Sequence, residues 1–224
     1  MAKMLVEDTS LVSVANAIRT KGGTTGALTF PNGFVSAVNG IKTGTSLTSL
    51  VDKSITEVTA DMLEGCTTIG IYAFNDCRSL ERIEFPESVT EIKGSAFEYC
   101  RSLTSIIIPY GVTKIYGSTF YNCDSLTSVI IPETVTYIVS KAFGMCLSLK
   151  NLTIPSGVTT IEQQAFYFCG LVTIEMKPTT PPKIFNTSFY RCSDLKTIKV
   201  PSASLSAYKS ATNWSAYADL MVGV

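Results

Sequence analysis

Seven cysteines and the absence of histidine bound the chemistry open to this chain. Without histidine there can be no Ser-His-Asp or Cys-His pair and no imidazole to hold a metal, so the usual base and the commonest nitrogen ligand are both missing. Six sulfurs, Cys77, Cys100, Cys123, Cys146, Cys169 and Cys192, occupy every twenty-third position of the chain, and no Cys-x-x-Cys pair occurs. One sulfur per repeat does not build a redox pair or a metal cage. It reads as a buried structural position, because a free cysteine packs as a small apolar side chain. The carboxylates Glu81, Glu84, Glu87 and Glu91 cluster without catalytic pairing and read as solvated loop and strand residues. Gly-rich phosphate loops, calcium loops and nucleotide fingerprints do not occur in the sequence. No catalytic residue, cofactor or metal is therefore expected, and the chain reads as something other than an enzyme.

The charge balance points the same way. Eighteen basic residues offset eighteen acidic ones, so there is no net field to attract nucleic acid or an anionic membrane. No window approaches the roughly 20 apolar residues that span a bilayer, and the opening residues Met1 to Asp8 lack the apolar stretch of a secretion signal. The expectation is no signal peptide or anchor in this chain: either the protein is not exported by that route, or a signal has been removed. At 46% apolar, 224 residues suffice to bury a substantial core.

The elements that must position these side chains come from the same period. Phenylalanine keeps step at Phe74, Phe97, Phe120, Phe143, Phe166 and Phe189, proline at Pro86, Pro109, Pro132, Pro155, Pro178 and Pro201, and isoleucine at Ile69, Ile92, Ile115, Ile138, Ile161 and Ile184. Leucine joins them at Leu80, Leu103, Leu126, Leu149 and Leu195. In one unit, Leu103, Ile106 and Ile108 follow the leucine-x-x-leucine-x-leucine pattern, with the last two pointing inward from a short β-strand. Pro109 ends that strand, Val112 to Ile115 suit a second, and Ser118 to Cys123 read as a single helical turn holding Phe120 and Cys123 inside. A coil this short cannot bury its own apolar edge, so the units must stack with like side chains in ladders. Six coils spaced at about 4.8 Å would extend roughly 30 Å. Stacked cysteines would then have Cα atoms about 5 Å apart, a distance that tolerates a disulfide, but parallel side chains and an odd total favour reduced, buried thiols.

The phrase Ala-Phe-x-x-Cys-x-Ser-Leu, seen from Ala73 to Leu80, Ala96 to Leu103 and Ala142 to Leu149, resembles the BspA-like leucine-rich repeats of bacterial surface proteins and of prophage and protozoan proteins. The resemblance covers about Ser46 to Pro201. It implies a leucine-rich-repeat solenoid: a right-handed superhelix of short parallel strands and short helical turns, with a concave sheet and an adhesive or binding role. The stretch from Val12 through Arg19 to Phe30-Pro-Asn-Gly-Phe-Val35 also resembles an N-terminal module of prophage tail-associated proteins from Gram-positive gut bacteria.

Three domains are expected: an N-terminal helical cap or attachment segment over 1–45, repeats over 46–201 and a C-terminal cap over 202–224. At the start, Asp8-Thr-Ser10 precedes the helical spacing of Leu11, Val14, Ala15 and Ile18, and a second helix is expected after Pro31. At the far end, Leu205, Tyr208, Trp214, Tyr217 and Leu220 supply an apolar plug. The first coils look irregular, with Val58, Leu63, Cys66 and Ile69 repeating the offsets of Ile69, Phe74, Cys77 and Leu80, as if Ile69 served two frames and half a coil had been skipped. Ser46 to Leu50 reads as the strand of a still earlier coil. Leu171, Ile174 and Met176 come one residue early, and the run Pro178 to Pro182 restores the frame as a stiff external bend.

Two groups of residues could meet a partner. Outward strand positions run Glu84, Ile107, Ile130, Thr153, Glu175 and Lys199, beside a small polar row of Arg82, Ser105, Ser128, Asn151, Thr173 and Thr197. Tyrosines at variable turn positions, among them Tyr99, Tyr110, Tyr116, Tyr121, Tyr137, Tyr167 and Tyr190, offer contact area at low entropic cost. The candidate surface is Arg82, Glu84, Ile107, Ile130, Asn151, Thr153, Tyr99, Tyr121 and Tyr167. The expected function is a binding or adhesion protein at a cell surface or on a phage particle, holding a protein or glycan, with no nucleic acid and no membrane insertion. The alternative is a structural spacer or assembly component whose solenoid only sets distance.

Overall fold

β-Branched residues flank each proline of the repeat and favour strands, while the proline, unable to donate to a ladder, keeps those strands short. The computed structural model describes residues 53–224, which excludes the expected N-terminal helices, the segment resembling a tail-associated module and the Ser46–Leu50 strand. One series of strands comprises β1 (Glu57–Val58), β3 (Arg82–Ile83), β5 (Ser105–Ile107), β7 (Ser128–Ile130), β9 (Asn151–Ile154), β11 (Thr173–Met176), β13 (Thr197–Val200) and β14 (Met221–Gly223). The second comprises β2 (Thr68–Ile69), β4 (Glu91–Ile92), β6 (Lys114–Ile115), β8 (Tyr137–Ile138), β10 (Thr160–Ile161) and β12 (Lys183–Ile184). Strand pairs among the described residues are parallel and join like positions of consecutive coils: Ile69 faces Ile92, Ile106 faces Val129, and Ile115, Ile138, Ile161 and Ile184 form one row. The chain is a repeat solenoid, and its two strand series make two of its three sides.

The third side differs from the expected helical turn. Between each second-series strand and the next cysteine the backbone passes twice through the left-handed region, at Ser95 and Tyr99, Ser118 and Asn122, Lys141 and Met145, and Gln164 and Phe168. These residues break the helix and let alternate amides point to the next coil. Phe97 N–H donates to Thr119 O at 2.9 Å, Phe120 N–H to Ala142 O at 2.8 Å and Phe143 N–H to Ala165 O at 2.8 Å, while the intervening amides bond within their own coil. A left-handed non-glycine residue costs on the order of 1 kcal/mol. That cost is accepted because it gives the third side a ladder between coils of its own.

Inside, the phenylalanines form a continuous stack. Centroid separations from Phe74 through Phe97, Phe120, Phe143 and Phe166 to Phe189 are 5.1, 5.5, 5.3, 5.6 and 5.3 Å, with ring planes within 13° of parallel. The cysteines are reduced and six of the seven are buried, Cys192 partly so. They do more than fill space: Cys100 Sγ donates to Phe74 O at 3.1 Å, Cys123 Sγ to Phe97 O at 3.2 Å, Cys146 Sγ to Phe120 O at 3.3 Å and Cys169 Sγ to Phe143 O at 2.7 Å. Each thiol thus ties its coil to the phenylalanine carbonyl of the coil before. The carbonyls of Phe74, Phe97 and Phe166 also accept the backbone amides of Cys77, Cys100 and Cys169 in their own coils.

The irregular coils are resolved by register. Val58 pairs with Ile83 and Ile69 with Ile92, so Ile69 belongs to a single frame and no half coil is missing. Cys66 stands one repeat before Val89 and falls in the valine row, outside the cysteine ladder. The extra length between Val58 and Ile69 is taken up by a 3-10 turn at Ala60–Leu63. Later, Ile174 faces Leu152 on one side and Ile198 on the other, one residue short of the repeat and one beyond it, which bears out the one-residue shift. Gly170 makes the shortened corner possible, because a Cβ there would overlap Leu147 O.

The proline run is an external bend only in its middle, where Thr179 and Thr180 are exposed; its ends are not external. Pro178 and Pro182 are buried beneath the C-terminal cap, which consists of a 3-10 turn at Ser202–Ser204, helix α1 (Leu205–Ser210) and a 3-10 segment at Trp214–Leu220. Tyr208 Oη donates to Pro178 O at 2.8 Å, Trp214 Nε1 to Pro182 O at 2.7 Å and Asn213 Nδ2 to Ile184 O at 2.8 Å. Pro182 and Ile184 lie one repeat after Thr159 and Ile161, and the carbonyls of Thr136 and Ile138 one coil earlier still accept backbone amides from the following coil. The cap substitutes side-chain donors for a missing β-strand. Trp214 and Tyr217 also close the phenylalanine stack at 6.0 and 5.8 Å from Phe189, and β14 resumes the first series with Met221 opposite Ile198.

Three outcomes are expected. Trp214→Phe should leave Pro182 O without its donor and cost about 1–3 kcal/mol in a urea titration. Lys141→Gly, at an exposed left-handed position, should raise stability by up to about 1 kcal/mol. Burial raises the thiols of Cys100, Cys123, Cys146, Cys169 and Cys192, the last to about 12, so a thiol reagent at neutral pH should leave the native protein largely unlabelled, react first at Cys192, and reach all seven sulfurs only in denaturant.

Candidate functional site

The nine candidate residues fall on two sides of the coil. Arg82, Glu84, Ile107, Ile130, Asn151 and Thr153 lie on the outer face of the first strand series and are exposed. Alternation places them there: Ile106, Leu152 and Ile154 point inward and are buried, so their strand neighbours must point out. Ile107 and Ile130 are direct pairing partners and remain 63% and 54% exposed. Arg82 already engages Glu57 of the preceding coil.

This face carries a feature that the repeat pattern alone does not reveal. Strand pairing on this face joins β1 to β3, β5 to β7, and β9 through β11 and β13 to β14; it is interrupted between β3 and β5 and again between β7 and β9. At the second break Val129 is only half-buried, whereas its row mates Ile106, Leu152 and Ile174 are buried. A depression of about 310 Å³ opens there, floored by Val129 and Leu152 and rimmed by Ser128, Asn151, Thr153 and Thr173, with Glu175 and Lys199 at one end. The ammonium of Lys177, 2.6 Å from Glu175 Oε1, holds that carboxyl below its ordinary range, aided by Lys199 and Thr153.

Tyr99, Tyr121 and Tyr167 belong to the third side, one or two residues after the buried phenylalanine of their coils, and are half-buried. They are part of a longer ridge. Tyr99 meets Tyr121 edge to face at 6.0 Å, and Tyr167 stacks on Tyr190 at 6.1 Å. Between the two pairs Tyr121 Oη donates to Met145 Sδ at 3.1 Å, its ring lying where a Cβ on Gly144 would intrude. Arg101 sits over Tyr99, and Arg191 over both Phe168 and Tyr190. Phe168 and Tyr190 remain 40% and 47% exposed. Phe168, Met145 and the two arginines were not singled out from the sequence; reading the two positions after each phenylalanine as rows finds Met145, Phe168 and Arg191, whereas Arg101 stands four residues after Phe97.

Tyr116 and Tyr137 prove to be a separate group on the second strand face. Tyr116 Oη donates to Glu91 Oε1 at 2.8 Å and Tyr137 Oη to Glu162 Oε1 at 2.7 Å, which raises both phenols. Lys114 lies 5.1 and 5.0 Å from the two ring centroids. Their polar groups are already paired. Tyr110 stands alone at a corner, exposed.

Among the described residues no group of side chains could hold a metal ion, and no helix is long and apolar enough to cross a membrane. The family model for the BspA type leucine rich repeat region matches in six copies, over residues 49–169 and 113–213. Solved structures with a similar fold include the leucine-rich-repeat protein TpLRR of T. pallidum, 28% identical over 70% of this chain and 71% of that one, with a TM-score of 0.44. A leucine-rich-repeat protein from Eubacterium ventriosum is 24% identical with a TM-score of 0.48, covering 67% of this chain and 46% of that one. A protein from Faecalibacterium prausnitzii described as a leucine rich cell surface protein is 19% identical with a TM-score of 0.32, covering 75% of this chain and 78% of that one. No curated protein matches the sequence. With six copies matched across most of the chain, and with the ladders and parallel strands that such copies require, the chain belongs to the BspA type leucine-rich-repeat family.

Proposed function

We propose that this chain is a non-catalytic binding protein, displayed at a bacterial cell surface or on a phage particle, whose third side grips a protein or glycan partner. The observation that carries this reading is the aromatic ridge of Tyr99, Tyr121, Tyr167, Phe168 and Tyr190, fastened by Met145, Arg101 and Arg191. Tyrosine, phenylalanine, methionine and arginine are the residue types enriched at interface centres. Here neighbouring rings hold one another in place, so little side-chain freedom remains to be lost on binding. Membership of a repeat family and the resemblance of residues 12–35 to a tail-associated module support the surface or virion setting.

The spacer reading predicts a different dependence, with contacts made by residues 1–45. Immobilised protein should retain a partner from cell-surface extract. Tyr167→Ala combined with Tyr190→Ala should weaken that retention about tenfold or more, with the circular dichroism spectrum unchanged. Retention that survives the double substitution and is lost on deleting residues 1–45 would establish the spacer or assembly role instead.

A further inference from the structure

We infer that the depression between β7 and β9 is a second binding site, separate from the aromatic ridge, and that its ligand is a linear, uncharged glycan of N-acetylated hexosamine units lying along the solenoid axis. Three observations on the first strand face lead there.

The first is open hydrogen-bonding capacity. Ser105, Ser128, Asn151 and Thr173 form an outward row, set by the pairing of Ser105 with Ser128 and of Asn151 with Thr173. Flanking threonines turn their hydroxyls back onto the preceding coil, as Thr104 does to Glu81 O and Thr127 to Thr104 O. The side chains of the outward row make no such bond, and within each paired stretch, Ser105 to Ser128 and Asn151 to Thr173, they repeat at about 4.8 Å, close to the advance of one sugar residue in an extended chain. A ligand with polar groups at that interval meets one fresh donor or acceptor per coil.

The second is charge. From β5 to β9 the outward residues are Ser105, Ile107, Ser128, Ile130, Asn151 and Thr153, none of them ionisable. Arg82 and Glu84 stand beyond one end, Glu175 and Lys199 beyond the other, and at each end the two signs offset each other. An anionic or cationic polymer gains nothing from the centre of this face. The same stretch holds no aromatic residue and no arginine, the types on which protein interfaces rely, so it suits a polar chain ligand better than a folded protein.

The third is the floor. Where the strand pairing is interrupted, Val129 is reachable beneath a polar rim, and Ile107 and Ile130 continue the apolar strip along the axis. An acetamido group matches this combination: its methyl covers Val129 or Ile130, while its N–H and C=O meet Ser128 and Asn151. A plain hexose has hydroxyls for the row and the C–H face of its ring for the apolar strip, but no methyl to reach Val129 between the strands.

Calorimetric titration of the full chain with the hexamer of N-acetylglucosamine tests this, with the glucose hexamer and the de-N-acetylated hexamer as comparisons. The N-acetylated hexamer should bind saturably, and each comparison should bind about tenfold more weakly or less. Asn151→Ala and Ile130→Glu should each weaken binding about tenfold, while the Tyr167→Ala, Tyr190→Ala variant should bind normally. Absence of saturable binding, equal binding of the glucose hexamer, or binding lost with the tyrosines and kept by Asn151→Ala would each overturn the assignment. If enzymatically deglycosylated surface protein is captured through Ile130 and Asn151, the face takes a protein and the glycan class is wrong. None of these outcomes bears on the aromatic ridge, whose own variants decide it.

Discussion

Everything in this molecule depends on one constraint: consecutive coils must meet in the same register, because each lacks the apolar wall that its neighbour supplies. Two contacts enforce it from inside. The phenylalanine rings stack nearly face to face, so a coil displaced along the chain direction would pull a ring out of the column. The thiols of Cys100, Cys123, Cys146, Cys169 and Cys192 each reach the carbonyl of the phenylalanine 26 residues earlier, which fixes where that column stands relative to the backbone. Alanine would fill the space without donating. The position therefore asks for a side chain that is small, tolerates burial and carries one weak donor, and reduced cysteine meets all three conditions.

The same constraint explains where the backbone departs from comfort. Among the described residues of the repeat, eleven other than glycine sit in the left-handed region, two in most coils. A helical turn would satisfy its amides internally and leave the third side joined only by side chains. The two left-handed residues redirect alternate amides outward, exchanging local bonds for bonds between coils. A similar logic governs the ends of the pattern. Where one residue is lost before Leu171, a residue without a side chain is needed at Gly170 to let the corner pass Leu147 O. Where the repeats stop, Trp214 and Asn213 reproduce with side chains the donors of an absent strand.

Much of this was legible in the sequence because ladders write themselves as periods. The spacing of Phe97, Cys100, Leu103 and Ile106 specifies the stacking partner of each, and the one-residue advance at Ile174 is visible as a break in that spacing. Backbone direction is not written so directly. The segment from Ser118 to Cys123 has residues compatible with a helical turn, and nothing in Ser118 or Asn122 alone announces a left-handed conformation that is imposed by the amides of the next coil. Cys66 misled for a related reason: its residue type matched one row while its position, one repeat before Val89, belonged to another. The proline run was read for stiffness, and the burial of its ends depended on a cap whose Tyr208 and Trp214 lie some 30 residues away in sequence.

The outward positions obey no such rule, and for that reason they carry the information about partners. A solenoid presents every variable position of one row along a line, so residues far apart in sequence become neighbours without any long-range folding event. Tyr121 and Tyr167 share a ridge because they occupy one row; Ser128 and Asn151 flank one depression because their strands are consecutive. What distinguishes these stretches from the rest of the surface is whether the side chains are already engaged. Tyr116 and Tyr137 direct their hydroxyls to Glu91 and Glu162 and hold Lys114 between their rings, so the second strand face is closed chemically as well as sterically. The row from Ser105 to Thr173 keeps its polar groups open, and it lies where the sheet itself is interrupted. A face that leaves both its side-chain donors and part of its apolar floor uncovered is less stable than one that pairs them, and the coincidence of the two at one depression is what marks it as a site.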